Sequence, residues 1–288
     1  MTTEAYAGAS PDAVQHHYDV GNAFYALWLD ETMTYSCALW ATGDTLEQAQ
    51  SRKLDYLIDA SSAAGAHRVL DIGCGWGSLL ERLVDVHGVD HVTGLTLSPA
   101  QAEAIAARAD ERIEVHIENW VEHSSEEPYD AIISIGAFEH FARFGLPRCE
   151  RIAAYRRFFR RCRELLPPGS RFALQTIAKG GNIRLDRRAA RELRFVADRI
   201  FPESELPWAS EVLEASEKLF ELVSVRNDAG DYARTCGAWL GRLRASRKDA
   251  MDLVGAQTVD DYERYLNASV EHFRNGHLAL LRCVYQRT

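Results

Sequence analysis

Between residues 67 and 180 the apolar positions follow two rhythms in turn. Compact runs rich in Val, Ile and Leu, namely HRVLDIG, HVTGLTL, IEVHIEN, YDAIISI and RFALQTI, read as strands. Among them, GSLLERLVDVHG, SPAQAEAIAARAD and residues 148–166 put apolar side chains three and four apart, the spacing of one helix face. Gly88 ends the first of these helices, Ser98 caps the second with Pro99 at its first position, and Pro167-Pro168-Gly169 stops the third. Strands that alternate with helices predict a parallel sheet covered on both faces, because a parallel return needs a crossover.

The rhythm differs on either side. Ser10-Pro11 and Asp44-Thr45-Leu46-Glu47 read as helix starts, the second a capping-box pattern opening a helix to about residue 62. Residues 180–219 are mostly helical, and LFELVSVRN and HLALLRCVYQR supply late strands, separated by helices over about 231–247 and 258–274. One domain follows from this: residues 1–66 as a helical cap, 67–179 as the core, 180–219 as an insertion closing the same pocket, and 220–288 as the last part of the sheet.

Composition narrows the class. With 288 residues and 47 % apolar content, the chain can bury a full core. No stretch approaches the ~18 consecutive apolar residues of a membrane span. MTTEAYAGASPDAV lacks the basic-then-apolar order of a secretory signal, so a cytoplasmic protein is expected. Cys37, Cys74, Cys149, Cys162, Cys236 and Cys283 show no metal-ligand spacing, which predicts free thiols and no metal site.

Net charge is −9, yet residues 143–199 hold fifteen Arg and one Lys against five acids. That segment is either a docking face for something anionic, such as an acidic carrier protein, a phosphorylated substrate or a membrane surface, or simply the solvated side of the amphipathic helix RRFFRRCREL. The basic residues are not interleaved with strand-borne aromatics and the rest of the surface repels phosphate, which argues against nucleic acid. Self-association is left open.

Candidate chemistry begins at VLDIGCGWG. Its glycines at 73, 75 and 77 lack the third position of the dinucleotide fingerprint and the Lys-Ser/Thr of a P-loop. Asp71 stands at the carboxyl end of the first strand, where open α/β sheets bind ligands, and can hold a cationic amino-acid moiety.

Beyond this loop, the sequence resembles the S-adenosylmethionine-dependent methyltransferases of the cyclopropane fatty acid and mycolic acid synthase group, over nearly the whole chain. The resemblance rests on HHYDVGNAFYALWLDETMTYSCALW, VLDIGCGWGSLLERLV, GLTLSPAQ, GAFEHF, LQTI, FPESELP and DYARTCGAWL. It implies an α/β fold with a Rossmann-like class I methyltransferase sheet, and S-adenosylmethionine as cofactor. It also implies cofactor contacts from Tyr35, Ser36, Gly73, Gly75, Thr96, Leu97, Gln101, Asn119 and Trp120. Trp120 offers a stacking face, although an aromatic after a strand also serves as core.

In the family the glutamate of GAFEHF, with a cysteine, a tyrosine and a histidine, holds a bicarbonate that acts as base. The matching positions are Glu139, Cys37 and Tyr232, but the histidine is replaced by Gln175. A glutamine carries neither the proton nor the charge of an imidazole, which puts bicarbonate in doubt and leaves Glu139 as general base or cation stabiliser. His140 reads equally as a structural or a catalytic histidine. Phe24, Tyr25, Trp28, Trp40, Phe138, Phe141, Phe201 and Trp208 are candidate walls for a cationic intermediate. Three functions compete: C-methylation of an unsaturated fatty-acyl, terpenoid or other apolar natural-product chain, with or without ring closure; N-methylation of a small amine; and cofactor binding without turnover.

Overall fold

The structure, a computed structural model, describes residues 8–10 and 20–288. A helix start at Ser10-Pro11 and the His16-His17-Tyr18 part of the N-terminal motif therefore fall on or run into residues outside those described. Seven strands form one sheet in the order β3-β2-β1-β4-β5-β7-β6. They are β1 (Arg68–Ile72), β2 (His91–Thr96), β3 (Ile113–Ile117), β4 (Ala131–Ile135), β5 (Arg171–Lys179), β6 (Phe220–Asn227) and β7 (Leu278–Arg287).

The first five strands pair in parallel, as the alternation predicts, but β7 is antiparallel to both β5 and β6. The direction of these late strands lies beyond what the alternation of residues 67–180 specifies. The chain returns from β6 through three helices and inserts β7 between β5 and β6, so the edge falls to β6, whose residues after Phe220 are exposed.

The described helices are α1 (Asn22–Ala26), α2 (Leu46–Ala60), α3 (Ser78–Asp85), α4 (Pro99–Ala106), α5 (Arg148–Leu165), α6 (Arg187–Arg199), α7 (Ala209–Ser216), α8 (Ala229–Ala245), α9 (Arg247–Val254) and α10 (Ala256–Arg274). Local chemistry sets their starts. Thr45 caps α2 through a box closed by Gln48, and Ser98 accepts from the Gln101 N–H with Pro99 in the first turn of α4. The helix α9 between the two long C-terminal helices is additional to those read from sequence.

Each sheet face has its own core. On one face α5 packs Phe158 and Phe159 against Phe172 and Tyr285. On the other, Leu54 and Leu57 of α2 and Leu80 and Leu83 of α3 cover Val69, Val92 and Ile133. Burying each such side chain stabilises by about 1.5–3 kcal/mol. A third cluster joins Phe24, Tyr25 and Trp28 to Trp239, Tyr262 and Leu266, fastening the N-terminal segment to α8 and α10. Much of the basic segment is neutralised within the fold, by Arg148–Glu214, Arg151–Glu211, Arg188–Glu271 and Arg199–Asp261.

Candidate active site

Two cavities of about 130 and 160 Å³ lie at the carboxyl ends of the parallel strands and share Tyr35, Ser36, Gly136 and His140. The first is where β1, β2 and β4 stop. Gly73 (φ +88°) turns the chain out of β1 with its α-carbon so close to Ala137 that an added Cβ would sit 2.5 Å from that residue's Cβ. The loop thus brings bare backbone against the cavity, and α3 begins behind it. All ten residues read as cofactor contacts line this cavity: Tyr35, Ser36, Asp71, Gly73, Gly75, Thr96, Leu97, Gln101, Asn119 and Trp120.

Their polar atoms are arranged unevenly. The Thr96 hydroxyl donates to Gln101 Oε1 at 2.7 Å, which leaves Gln101 Nε2 buried and without a partner among the described residues. Asp71 Oδ1 is in the same condition, and burial pushes the Asp71 carboxyl up to about 7, with nearby Lys53 acting against the rise. Orphaned buried donors and acceptors facing a cavity are costly unless a ligand satisfies them. A donor at Gln101, an acceptor at Asp71 and a side-chain-free loop fit a nucleoside carrying an ammonium group, as S-adenosylmethionine does.

The second cavity is predominantly apolar. Leu193, Val196 and Ala197 of α6 form one wall, and Tyr232 and Cys236 of α8 with Tyr265 and Phe273 of α10 form the other. Residues 229–274 read as spacers between strands, yet they supply one wall of the chamber through Tyr232, Cys236, Tyr265, Ser269 and Phe273. Among the proposed aromatic walls, Phe201 lines this cavity and Phe141 the first; Phe24, Tyr25, Trp28, Trp40, Phe138 and Trp208 line neither. Phe24, Tyr25, Trp28 and Phe138 are instead packed in the cores.

Glu139 belongs to the second cavity, in a short 3-10 turn (Phe138–His140) after β4, so it lines a different chamber from the glycine loop of Gly73 and Gly75. Its Oε1 accepts from the Ile177 N–H at 2.6 Å, and its Oε2 is buried with no partner among the described residues. Burial pushes the carboxyl up to about 7, opposed by the Ile177 N–H. A carboxyl balanced near neutral pH can take a proton and hand it on. His140, at the junction, shares a 2.8 Å hydrogen bond with Ser204 Oγ, and burial lowers it to about 4, so it stays neutral and carries no charge to the site. Burial also raises the Tyr232 phenol well above its usual range, which keeps it a donor.

Cys37 is a correction: fully buried, it lines neither cavity, and its thiol, raised to about 12 by burial, donates to the Ala38 carbonyl. Gln175 does line the second cavity, but its amide oxygen accepts from Arg282 Nε at 2.8 Å. A guanidinium only donates, so the amide must turn its oxygen to Arg282, and its NH₂ donates to the Cys37 carbonyl at 3.5 Å. Arg282 is wholly buried on β7, paired with Asp228, and it also donates to the Cys37 and Ala38 carbonyls. The bicarbonate that the resemblance implies does not fit: an amide stands at Gln175 in place of the imidazole, neutral His140 is engaged with Ser204, the cysteine thiol is turned away, and the remaining donors stand beside an acid.

Arg282 and Lys53 were not among the sequence candidates. Lys53 lines the first cavity, 1 % exposed. The signal was available: Leu46, Gln50, Lys53, Leu54 and Leu57 form the inward stripe of α2, so a lysine stands among apolar positions. Arg282 likewise interrupts the apolar run of HLALLRCVYQR. Among the described residues, no cluster of His, Cys, Asp or Glu could hold a metal ion, the cysteines are free, and no helix is long and apolar enough to cross a membrane.

The profile of the family described as "Mycolic acid cyclopropane synthetase" matches residues 8–283. Cyclopropane mycolic acid synthase 2 of Mycobacterium leprae is 36 % identical over 282 residues, covering 92 % of this chain and 90 % of that protein. The solved structure of the cyclopropane synthase MmaA2 from Mycobacterium tuberculosis superposes with a TM-score of 0.89 at 32 % identity, covering 97 % of this chain and 99 % of that one. The crystal structure of mycolic acid cyclopropane synthase CmaA1 complexed with SAH and CTAB gives 0.88 at 33 % identity, with 97 % and 99 % covered. Sequence and architecture agree from end to end, and the chain belongs to the mycolic acid cyclopropane synthetase family.

Proposed function

We propose that this S-adenosylmethionine-dependent methyltransferase places the methyl group on an unsaturated carbon of an apolar chain, with Glu139 removing the proton that the methylated substrate must lose. One observation carries the reading: a cavity lined by the orphaned polar groups of Asp71 and Gln101 and a predominantly apolar cavity meet at Tyr35, Ser36, Gly136 and His140, and the apolar one contains an acid with an unpartnered oxygen. Similarity to proteins named cyclopropane mycolic acid synthases supports carbon as the acceptor and ring closure as an outcome.

When bound, S-adenosylmethionine supplies an electrophilic sulfonium methyl. The chain's own task is alignment, exclusion of water and proton handling. The first cavity would hold the nucleoside through Thr96, Gln101, Asn119 and Trp120 and the ammonium through Asp71. The second would hold the alkene against Tyr232, Tyr265, Phe273 and Phe201, whose ring faces favour developing positive charge. Glu139 Oε2 would accept the departing proton, and a proton lost from the newly added methyl would close a three-membered ring. Gln175 is a fixed amide donor at the same wall and moves no proton.

Residues 1–66, 180–219 and 220–288 would then act as the cap, the lid and the far wall around core 67–179. An acidic carrier or other anionic surface delivering the substrate would meet Arg184, Arg187 and Arg191, which make no ion pair among the described residues. The test is transfer of label from methyl-labelled cofactor to unsaturated acyl lipids, prenyl compounds and aryl amines. Label in a cyclopropane or a methyl-branched alkene formed from an alkene substrate supports the proposal; label confined to amines would overturn it.

A further inference from the structure

The first cavity contains two buried ionisable groups of opposite type that do not form an ion pair with each other. Lys53 Nζ makes one hydrogen bond, to Ser36 Oγ at 2.9 Å, and the ammonium has two further N–H groups. Asp71, 2 % exposed, has its Oδ1 without a partner among the described residues. Neither side chain has an opposite charge within ion-pair distance among the described residues, although both line the same space as the glycine loop. Burying either charge alone is strongly unfavourable. Burial, with the positive charge of Arg282, lowers Lys53 to about 7, while Asp30, Cys37 and Asp71 act the other way. Burial raises Asp71 to the same region.

An amine and a carboxyl so placed complement an α-amino acid zwitterion, whose carboxylate needs a cationic donor and whose ammonium needs an anionic acceptor. We propose that Lys53, together with the Ser36 hydroxyl it holds, is the recognition element for the carboxylate of the cofactor's methionyl end, with Asp71 taking the ammonium. This rests on the first cavity being the cofactor's, and it adds a residue to that site. Ligand binding supplies the counter-charges that the cavity lacks, so the buried pair gives selectivity for the intact amino-acid tail over truncated nucleosides. Ser36 also lines the second cavity, so the same contact sets the wall between cofactor and substrate.

Calorimetric titration of the full chain with S-adenosylhomocysteine, its decarboxylated analogue and 5′-methylthioadenosine separates this role from simple support of the cap. Lys53→Met should weaken S-adenosylhomocysteine by about 10- to 100-fold, the range of a charge-assisted hydrogen bond, and leave the two carboxylate-free ligands within about twofold of wild type. Equal weakening of all three ligands, or unchanged binding of S-adenosylhomocysteine, would overturn the assignment. If the variant does not fold, wild type decides alone: a preference of about tenfold or more for S-adenosylhomocysteine over its decarboxylated analogue supports the carboxylate contact, and a smaller one refutes it. Binding of none of the three by wild type would overturn the cofactor site itself and this assignment with it.

Discussion

Replacing Glu139 by glutamine separates the charge of this residue from its shape. The amide oxygen can keep the 2.6 Å hydrogen bond from the Ile177 N–H, and only the ionisable group is lost. Burial raises the folded carboxyl from 4.5 to about 7. Because the folded state binds this proton more tightly than the unfolded chain, the group's favourable contribution is fully present below 4.5 and is lost as pH rises through 7. Relative to a neutral side chain, wild type therefore bears a cost of about 3 kcal/mol at pH 8, against about 1 kcal/mol at pH 5. Glu139→Gln should gain roughly 2–3 kcal/mol on wild type between those conditions, a relative rise in Tm of about 5 °C for a chain of this size. Turnover should fall by roughly 10²-fold or more, the scale of a lost general base. Cofactor affinity should stay within a few fold, since Glu139 lines only the second cavity. Wild-type turnover at saturating cofactor should rise with pH through about 7, and the variant should lack that limb. Scanning calorimetry at both pH values, paired with labelled-methyl turnover, reads all of these. An identical Tm difference at the two pH values would refute the buried-charge argument, and full activity would leave Glu139 a structural residue.

Three further outcomes follow from the same geometry. Gly73→Ala should abolish measurable cofactor binding and lower stability, since its Cβ would lie 2.5 Å from that of Ala137 at a φ of +88°; near-normal calorimetric titration would contradict this. Removing dissolved bicarbonate should leave wild-type turnover unchanged because Gln175 stands where the family's histidine would, and a rate that collapses on degassing and recovers on addition would show the opposite. Arg282→Met leaves Asp228, Gln175 Oε1 and two cap carbonyls without their donor, so urea unfolding should show a loss of about 3–5 kcal/mol; a loss below about 1 kcal/mol would mean the cluster is already hydrated.

What the sequence determined by itself is what near neighbours decide. Strand and helix periods, the Thr45 and Ser98 caps, the positive-φ glycines of the first loop and the five parallel strands all follow from local sterics and from which face of a short segment is apolar. The motifs placed ten candidate residues around one cavity because each follows directly on a strand or cap whose position the alternation sets. Tertiary structure decided the rest. Whether β7 ran parallel depended on how residues 229–274 returned to the sheet, which no local pattern encodes. Cys37 and Glu139 are each defined by what stands opposite them: the first is turned into the cluster around Arg282, and the second faces a chamber walled by helices nearly a hundred residues downstream. Lys53, Gln175 and Arg282 take their chemistry from burial, since the same residue types at the surface would be solvated and unremarkable. The physical reason is that charge, pKa and cavity shape depend on long-range packing and desolvation, whereas period and backbone freedom are carried by the chain itself.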